Sequence, residues 1–174
     1  MTMMSNRGRF EFFDEWRLAA ELDAVWAVVR DVEAYSDWWP AVRSVIPVIG
    51  RIKPTWEFRF RTRLPYDMAF AAQLVRDERL LIAEAQVTGR VDGTGRCVAS
   101  AIGGGTLVRF DWWVRPKVAW MRAVAPIARP VFSWNHRSLM AEGAAGLARH
   151  LNARLLADPV GVLLPARGGS STPT

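Results

Sequence analysis

The 174-residue chain lacks the residues from which disulfides and metal sites are usually built. It contains one cysteine, Cys97, and two histidines, so an internal disulfide is excluded and the usual zinc ligand sets cannot form. No run of about eighteen apolar residues is present to span a membrane, and Met1–Arg9 leads into a predicted strand and not into an apolar signal core. We therefore expect a cytoplasmic protein without a bound metal.

Sequence motifs with a known catalytic spacing are also missing. The chain has no Ser-His-Asp order, no Cys-His pair and no phosphate-binding loop, and the glycines at positions 89, 93 and 95 lack the strand-to-helix setting of a dinucleotide fingerprint. We therefore expect no cofactor. An enzyme is not excluded, because a dry cavity can promote cyclisation and dehydration mainly by holding a reactive chain folded.

The formal net charge of +6 brings nucleic acid and anionic membrane surfaces into consideration as partners. Arginines are interleaved with acidic residues, whereas a nucleic-acid-binding patch usually forms a run or a helical stripe. We therefore expect a solvated surface and no nucleic-acid partner. An alternative stays open for Lys117–Arg129, where Trp120, Met121 and Arg122 would enter the headgroup region of a membrane transiently, during ligand exchange. The pattern makes no prediction of oligomeric state.

Half of the residues are hydrophobic and nine are tryptophan, which is enough for one domain with a sizeable core. Apolar and polar residues alternate along several stretches, which predicts an antiparallel sheet with one dry face and one wet face. The predicted strands are Phe10–Leu18, Val42–Ile49, Trp56–Arg63, Met68–Val75, Leu80–Val87, Arg96–Ile102 and Thr106–Arg115.

Two further features concern the ends of this pattern. Asp14 interrupts the apolar face of the first strand, which favours a β-bulge there over a polar group that faces a cavity. Gly, Pro, Ser and Thr dominate after Asp158, which is typical of chain that cannot pack into a core. We expect a single domain over residues 1–157 and a disordered tail over residues 158–174.

Helical periodicity is found after the first strand and again near the end of the chain. Two short helices are predicted, the second of which ends at Trp38-Trp39-Pro40. A long helix is predicted from Pro130 to about Leu156, because apolar or small residues recur every three or four positions. They are His136, Met140, Gly143, Leu147 and Leu151. We expect this helix to close a cavity whose other side is the sheet.

The order of these elements resembles the START-like superfamily, also called SRPBCC, and in particular its polyketide cyclase/dehydrase and lipid-transport branch. The resemblance covers about residues 9–156. It rests on Val25-Trp26, Asp37-Trp38-Trp39-Pro40, the predicted turn Gly93-Thr94-Gly95, Phe110-Asp111-Trp112 and Phe132-Ser133-Trp134-Asn135-His136. The resemblance implies an α+β helix-grip fold, in which a curved antiparallel sheet wraps around a long C-terminal helix and two short helices follow the first strand. It also implies a mostly apolar cavity that holds lipids, sterols, polyketides or other aromatic compounds.

Candidate site residues follow from the predicted faces and from this resemblance. Residues expected to bind the ligand are Trp39, Phe58, Phe60, Phe70, Phe110, Trp112, Asn135, Met140, Gly143 and Leu147. His136 and Glu84 are candidate catalytic residues, because imidazole titrates near neutral pH and a carboxyl group facing inward has a raised pKa. For both, a structural role is favoured: His136 hydrogen-bonded to backbone at the helix start, and Glu84 paired with an arginine on the outer face.

These features lead to two functional hypotheses. The first is a protein that binds a hydrophobic small molecule, lipid-like or aromatic, for carriage or sequestration in the cavity between the sheet and the C-terminal helix. The alternative is a polyketide cyclase/dehydratase that uses His136, with Glu84 as a second acid or base, on a ligand held in the same cavity. The sequence does not decide whether the chain is an enzyme.

Overall fold

The fold is built on one antiparallel sheet. The computed structural model describes residues 9–78 and 81–163. The strands in these ranges are β1 (Phe10–Leu18), β2 (Val42–Pro47), β3 (Thr55–Arg61), β4 (Asp67–Glu78), β5 (Ile82–Gly89), β6 (Val91–Ile102), β7 (Gly105–Pro116) and β8 (Val160–Leu163). They form a curved eight-stranded sheet in the spatial order β2-β3-β4-β5-β6-β7-β1-β8.

Helices cover the inner face of this sheet. Two short helices, α1 (Leu22–Arg30) and α2 (Tyr35–Trp38), follow β1, and a one-turn 3-10 helix at Val32–Ala34 lies between them. The long C-terminal helix is α3 (Ala119–His150). The predicted α+β helix-grip fold is therefore confirmed. None of the helices in the described part of the chain is long and apolar enough to cross a membrane.

The side chains along β1 and β7 show how the alternating sequence sets the two faces of the sheet. Every second residue of β1, from Phe10 to Leu18, is buried towards the helices. Trp16 lies opposite Val108 of β7, and neither side chain has any exposed surface. The predicted assignment of inner and outer residues on these two strands therefore places the core correctly.

The C-terminal helix differs from its prediction at both ends. It begins at Ala119 instead of Pro130, because the buried side chain of Met121 anchors the first turns and offsets the cost of the prolines that follow. It ends at His150 instead of about Leu156, because Asn152 adopts a positive φ of 49° and turns the chain back. The segment after it then joins β1, where Leu155 forms a bridge with Leu18.

Two other predictions are corrected by the sheet. The segment Gly93-Thr94-Gly95 is not a turn but lies inside β6, where Gly95 leaves room for the ring of Trp112. A side chain at position 95 would place its Cβ 2.7 Å from Cζ3 of that indole. The predicted tail contains the short edge strand β8, which pairs with the free edge of β1. Residues 164–174 of that prediction lie outside the described residues.

The second half of α3 packs directly on α2 and β1. Gly146 lies so close to α2 that an added Cβ would stand 2.0 Å from the carbonyl oxygen of Trp38. An added Cβ at Gly143 would stand 2.5 Å from the ring of Trp39. Leu147, the residue after Gly146, is fully buried in the main core. Small residues therefore allow the helix and the tryptophans to approach closely at this end.

Candidate functional site

A small apolar cavity lies between the first half of α3 and the sheet. Its volume is about 140 Å³. From α3 and the residues just before it, the wall is formed by Pro116, Met121, Phe132, Asn135, His136, Leu139 and Met140, and from the rest of the chain by Phe10, Phe12, Trp39, Phe60, Tyr66, Met68, Phe70, Val87, Val91, Trp112 and Val114. We call this space the smaller cavity.

A second space, the larger cavity, has a volume of about 390 Å³. It lies between the sheet and the short helices α1 and α2, and none of its described lining residues belongs to α3. Tyr35 and Trp26 face it from the helices, and Phe58, Ala72 and Cys97 face it from the sheet. The space that the sequence led us to expect under the C-terminal helix thus extends mainly under the short helices.

The two cavities meet at a shared wall. Trp39, Phe60, Phe70, Val87 and Trp112 line both of them. The indole N–H of Trp39 donates a hydrogen bond of 2.9 Å to the carbonyl oxygen of Leu139, so its ring is held between α2 and α3. The two cavities therefore lie on either side of the same largely aromatic set of side chains.

A partly buried His-Asp pair lies at the smaller cavity, where His136 forms part of the wall. Nε2 of His136 is 2.7 Å from Oδ2 of Asp14, and the imidazole stacks on the ring of Phe12 with the centroids 4.0 Å apart. Asp14 is 1% exposed and lies opposite Phe110 in regular register, so the predicted bulge is absent. A carboxylate is tolerated on this apolar face because the imidazole pairs with it.

This contact orients the imidazole. A carboxylate oxygen accepts hydrogen bonds, so the ring donates to Asp14 through its Nε2–H. The predicted hydrogen bond from His136 to backbone is replaced by this contact with a side chain. The sequence signal for the pair was Asp14 itself, as the one acidic residue on an apolar strand face.

Asn135 connects α3 to the hairpin between β3 and β4. Its Oδ1 accepts a hydrogen bond of 2.9 Å from the backbone N–H of Arg63. The side chain is buried and also lines the smaller cavity. Asn135 therefore fixes the position of the helix over the sheet and places an amide in the cavity wall.

Glu84 lies apart from His136. Its Oε1 is 3.3 Å from Nε of Arg96 and 3.5 Å from a guanidinium nitrogen of Arg76, as expected for a carboxylate paired with arginines. It contacts the larger cavity, whereas His136 lines the smaller one. The two candidate catalytic residues are therefore not brought together. In the part of the chain that the structure describes, no three His, Cys, Asp or Glu side chains converge as a metal site.

Most of the residues expected to bind a ligand line one of the two cavities. They are Trp39, Phe58, Phe60, Phe70, Phe110, Trp112, Asn135 and Met140. Gly143 and Leu147 line neither cavity, because the second half of α3 lies on the packed core instead of over the hollow. Met140 marks the boundary between these two regions of the helix.

Two polar groups in the larger cavity were missed by the sequence reasoning. The hydroxyl of Tyr35 donates a hydrogen bond of 2.6 Å to the carbonyl oxygen of Val29, and burial raises the pKa of Tyr35 well above its usual value. Burial also raises the pKa of the Cys97 thiol, and the nearby carboxylate of Asp111 adds to this shift. Both groups are therefore neutral at physiological pH. Both residues lie on mostly apolar elements. The sequence pattern therefore predicts that they are buried but does not mark them as polar groups of a cavity.

Comparisons with known proteins support the fold. The sequence matches no family model and no curated protein. Among solved structures, the START superfamily protein from Mycobacterium smegmatis superposes with a TM-score of 0.66 at 15% identity, over 82% of this chain and 97% of that one. The chain has the START-like helix-grip fold.

Two aromatase/cyclases share this START-like fold. The Zhui aromatase/cyclase from Streptomyces sp. R1128 superposes with a TM-score of 0.63 at 13% identity, over 83% of this chain and 93% of that one. The di-domain ARO/CYC BexL, from the BE-7585A biosynthetic pathway, gives a TM-score of 0.68 at 17% identity, over 87% of this chain and 52% of that one. This START-like chain therefore spans about half the length of BexL.

Proposed function

We propose that this START-like protein binds an apolar small molecule, lipid-like or aromatic, for carriage or sequestration in its two cavities. The observation that carries the proposal is the pair of adjacent apolar cavities, of about 140 Å³ and about 390 Å³, which share a largely aromatic wall. A ligand that fills this space gains about 25 cal/mol for each Å² of apolar surface removed from water. The few polar groups in the walls, such as Asn135 and His136, would set its orientation.

A pair of neighbouring alanines on β4 allows a direct test. Ala72 is buried and lines the larger cavity, whereas Ala71 is the next residue along the strand and lines neither cavity. We expect Ala72→Phe to fill part of the larger cavity and to weaken binding of the neutral fluorescent probe N-phenyl-1-naphthylamine about tenfold, the equivalent of one lost side-chain contact. Ala71→Phe should leave the affinity unchanged.

The probe is titrated into each variant and its fluorescence increase is measured, with far-UV circular dichroism to verify that both variants are folded. Failure of the wild-type protein to bind the probe would count against the proposal. So would equal affinity of the folded Ala72→Phe and Ala71→Phe variants.

A second function, that of a polyketide cyclase/dehydratase, is favoured by the His136-Asp14 pair. Nε2 of His136 lies 2.7 Å from Oδ2 of Asp14 beside an apolar cavity, and two structural neighbours are named as aromatase/cyclases. In this function, His136 would remove or deliver a proton on a reactive poly-β-ketone, and Asp14 would hold the imidazole in the required tautomer. Glu84 would not take part, because it contacts the other cavity.

The two functions are separated by His136→Gln, which keeps a polar side chain beside Asp14 but cannot act as a base. If the protein is a cyclase, we expect the variant to retain probe affinity and to lose conversion of a poly-β-ketone, followed by mass spectrometry. Conversion that proceeds equally well in His136→Gln and wild-type protein would exclude this role of the histidine.

A further inference from the structure

The first half of α3 exposes a row of large apolar side chains. Trp120, Val124, Ile127, Val131 and Trp134 recur at intervals of four and three residues, and all are exposed. At about 100° per residue they lie within an arc of about 80°, along roughly 21 Å of the helix. Ile127 is 86% exposed. We call this row the α3 stripe. An apolar row of this length on a surface usually marks an interaction site.

The α3 stripe begins at the edge of the smaller cavity. The ring of Trp120 lies edge-on to the ring of Tyr66, with the centroids 5.4 Å apart. Tyr66 and Met121 both line that cavity. One end of the stripe therefore lies beside the wall of the smaller cavity.

The charges of the first half of α3 favour an anionic partner, with Arg122 and Arg129 on the polar side of the helix, opposite the α3 stripe. From Trp112 to Ala141 the sequence contains no acidic residue, but it contains Arg115, Lys117, Arg122, Arg129 and Arg137. Lys117 is paired with Asp92 at 3.4 Å, but two copies of this surface would still bring the arginines of the two helices together, which disfavours self-association. An anionic bilayer surface offers both an apolar layer and negative charge, and tryptophan side chains prefer its interfacial region.

We propose that the α3 stripe docks on the surface of a bilayer that contains anionic lipid. The helix lies in the interface, with Trp120 and Trp134 at the two ends of the buried row. Docking brings the edge of the smaller cavity to the bilayer, so that an apolar ligand passes between the two without crossing water. This last step rests on the proposed ligand-binding function, whereas docking itself does not.

Vesicle flotation tests the proposal with a matched pair of variants. Ile127→Asp changes the stripe, and Ile52→Asp makes the same change at a fully exposed isoleucine in the β2-β3 hairpin. Wild-type protein should float with phosphatidylcholine vesicles that contain about 30% phosphatidylglycerol, and less well at high salt or without the anionic lipid. Loss of one buried isoleucine should weaken the partitioning of Ile127→Asp about tenfold. Ile52→Asp should float like the wild-type protein.

Three results would overturn the proposal. The first is a wild-type protein that does not float, and the second is flotation that Ile127→Asp leaves unchanged or that Ile52→Asp reduces equally. The third is a wild-type dimer in light scattering that Ile127→Asp converts to a monomer, which would assign the stripe to a second copy of the chain. Flotation needs no ligand, so a failure of the probe titration described above would not affect this result.

Discussion

The two halves of α3 differ in what they cover. The second half brings Gly143 and Gly146 against Trp16, Trp38 and Trp39, so closely that an added Cβ at either glycine would collide. The first half carries Met121, Phe132 and other large side chains, which line a hollow instead of filling it. The same helix therefore closes the core at one end and roofs a cavity at the other.

The difference shows that side-chain size along one helix can set where a cavity lies. Small residues bring the helix axis close to its neighbours, whereas large residues and a buried polar pair keep it away. In this fold, the close contacts at Gly143 and Gly146 fix one end of the helix, and the cavity lies under the other end.

The largest change in the free energy of unfolding is expected from Gly146→Ala. Helix propensity alone predicts a gain of about 1 kcal/mol, but the new Cβ would stand 2.0 Å from the carbonyl oxygen of Trp38. We expect a loss of about 3 kcal/mol in the free energy of unfolding, measured by urea titration with circular dichroism. Gly103→Ala, where no atom lies within 4 Å of the added Cβ, is the control. A more stable Gly146→Ala variant would show that the packed half is not tight.

A smaller loss in the free energy of unfolding is expected at the His136-Asp14 pair, in the half of α3 that covers the smaller cavity. Asp14→Ala leaves the imidazole of His136 without its partner, which should cost about 2 kcal/mol of unfolding free energy. The double variant with His136→Ala should lose less than the sum of the two single variants, by about 1 kcal/mol. Additive losses in this cycle, measured by urea unfolding, would mean that the 2.7 Å contact contributes no coupling.

The smallest effect concerns pH and the thiol of the larger cavity. The pKa of Cys97 is raised in the folded protein by burial, whereas the thiol of the unfolded chain has a pKa of about 8.5. Its contribution to stability is therefore complete below about pH 8 and is lost as the pH rises above the unfolded-state value. We expect the wild-type protein to lose stability relative to Cys97→Ala between about pH 8 and pH 10. If the free energies of unfolding of the wild-type protein and of Cys97→Ala changed with pH in the same way, water would reach this thiol freely in the larger cavity.

Much of the fold could be predicted from the sequence, because alternation and turn residues act locally. The dry and wet faces of β1 and β7 and the order of the elements follow from neighbouring residues. The start of α3 could not be predicted, because the proline at position 126 marks a helix end by local rules and only the burial of Met121 reverses them. The strand β8 was missed for the same reason, since its pairing partner lies at the other end of the chain.

The candidate site was predictable only in part. Eight of the ten residues expected to bind a ligand line a cavity, because strand alternation decides which way they face. The partner of His136 was not predicted, because Asp14 is 122 residues away in sequence. The cytoplasmic location stays a prediction.

By itself the sequence determined the elements and the dry face of the sheet, because both depend on the period of side chains a few residues apart. Only the tertiary structure decided where the cavities lie, which buried side chain pairs with His136 and which apolar row of α3 is exposed. These depend on the distance between α3 and the sheet, and that distance is set by contacts between residues far apart in the chain, such as Gly146 with Trp38.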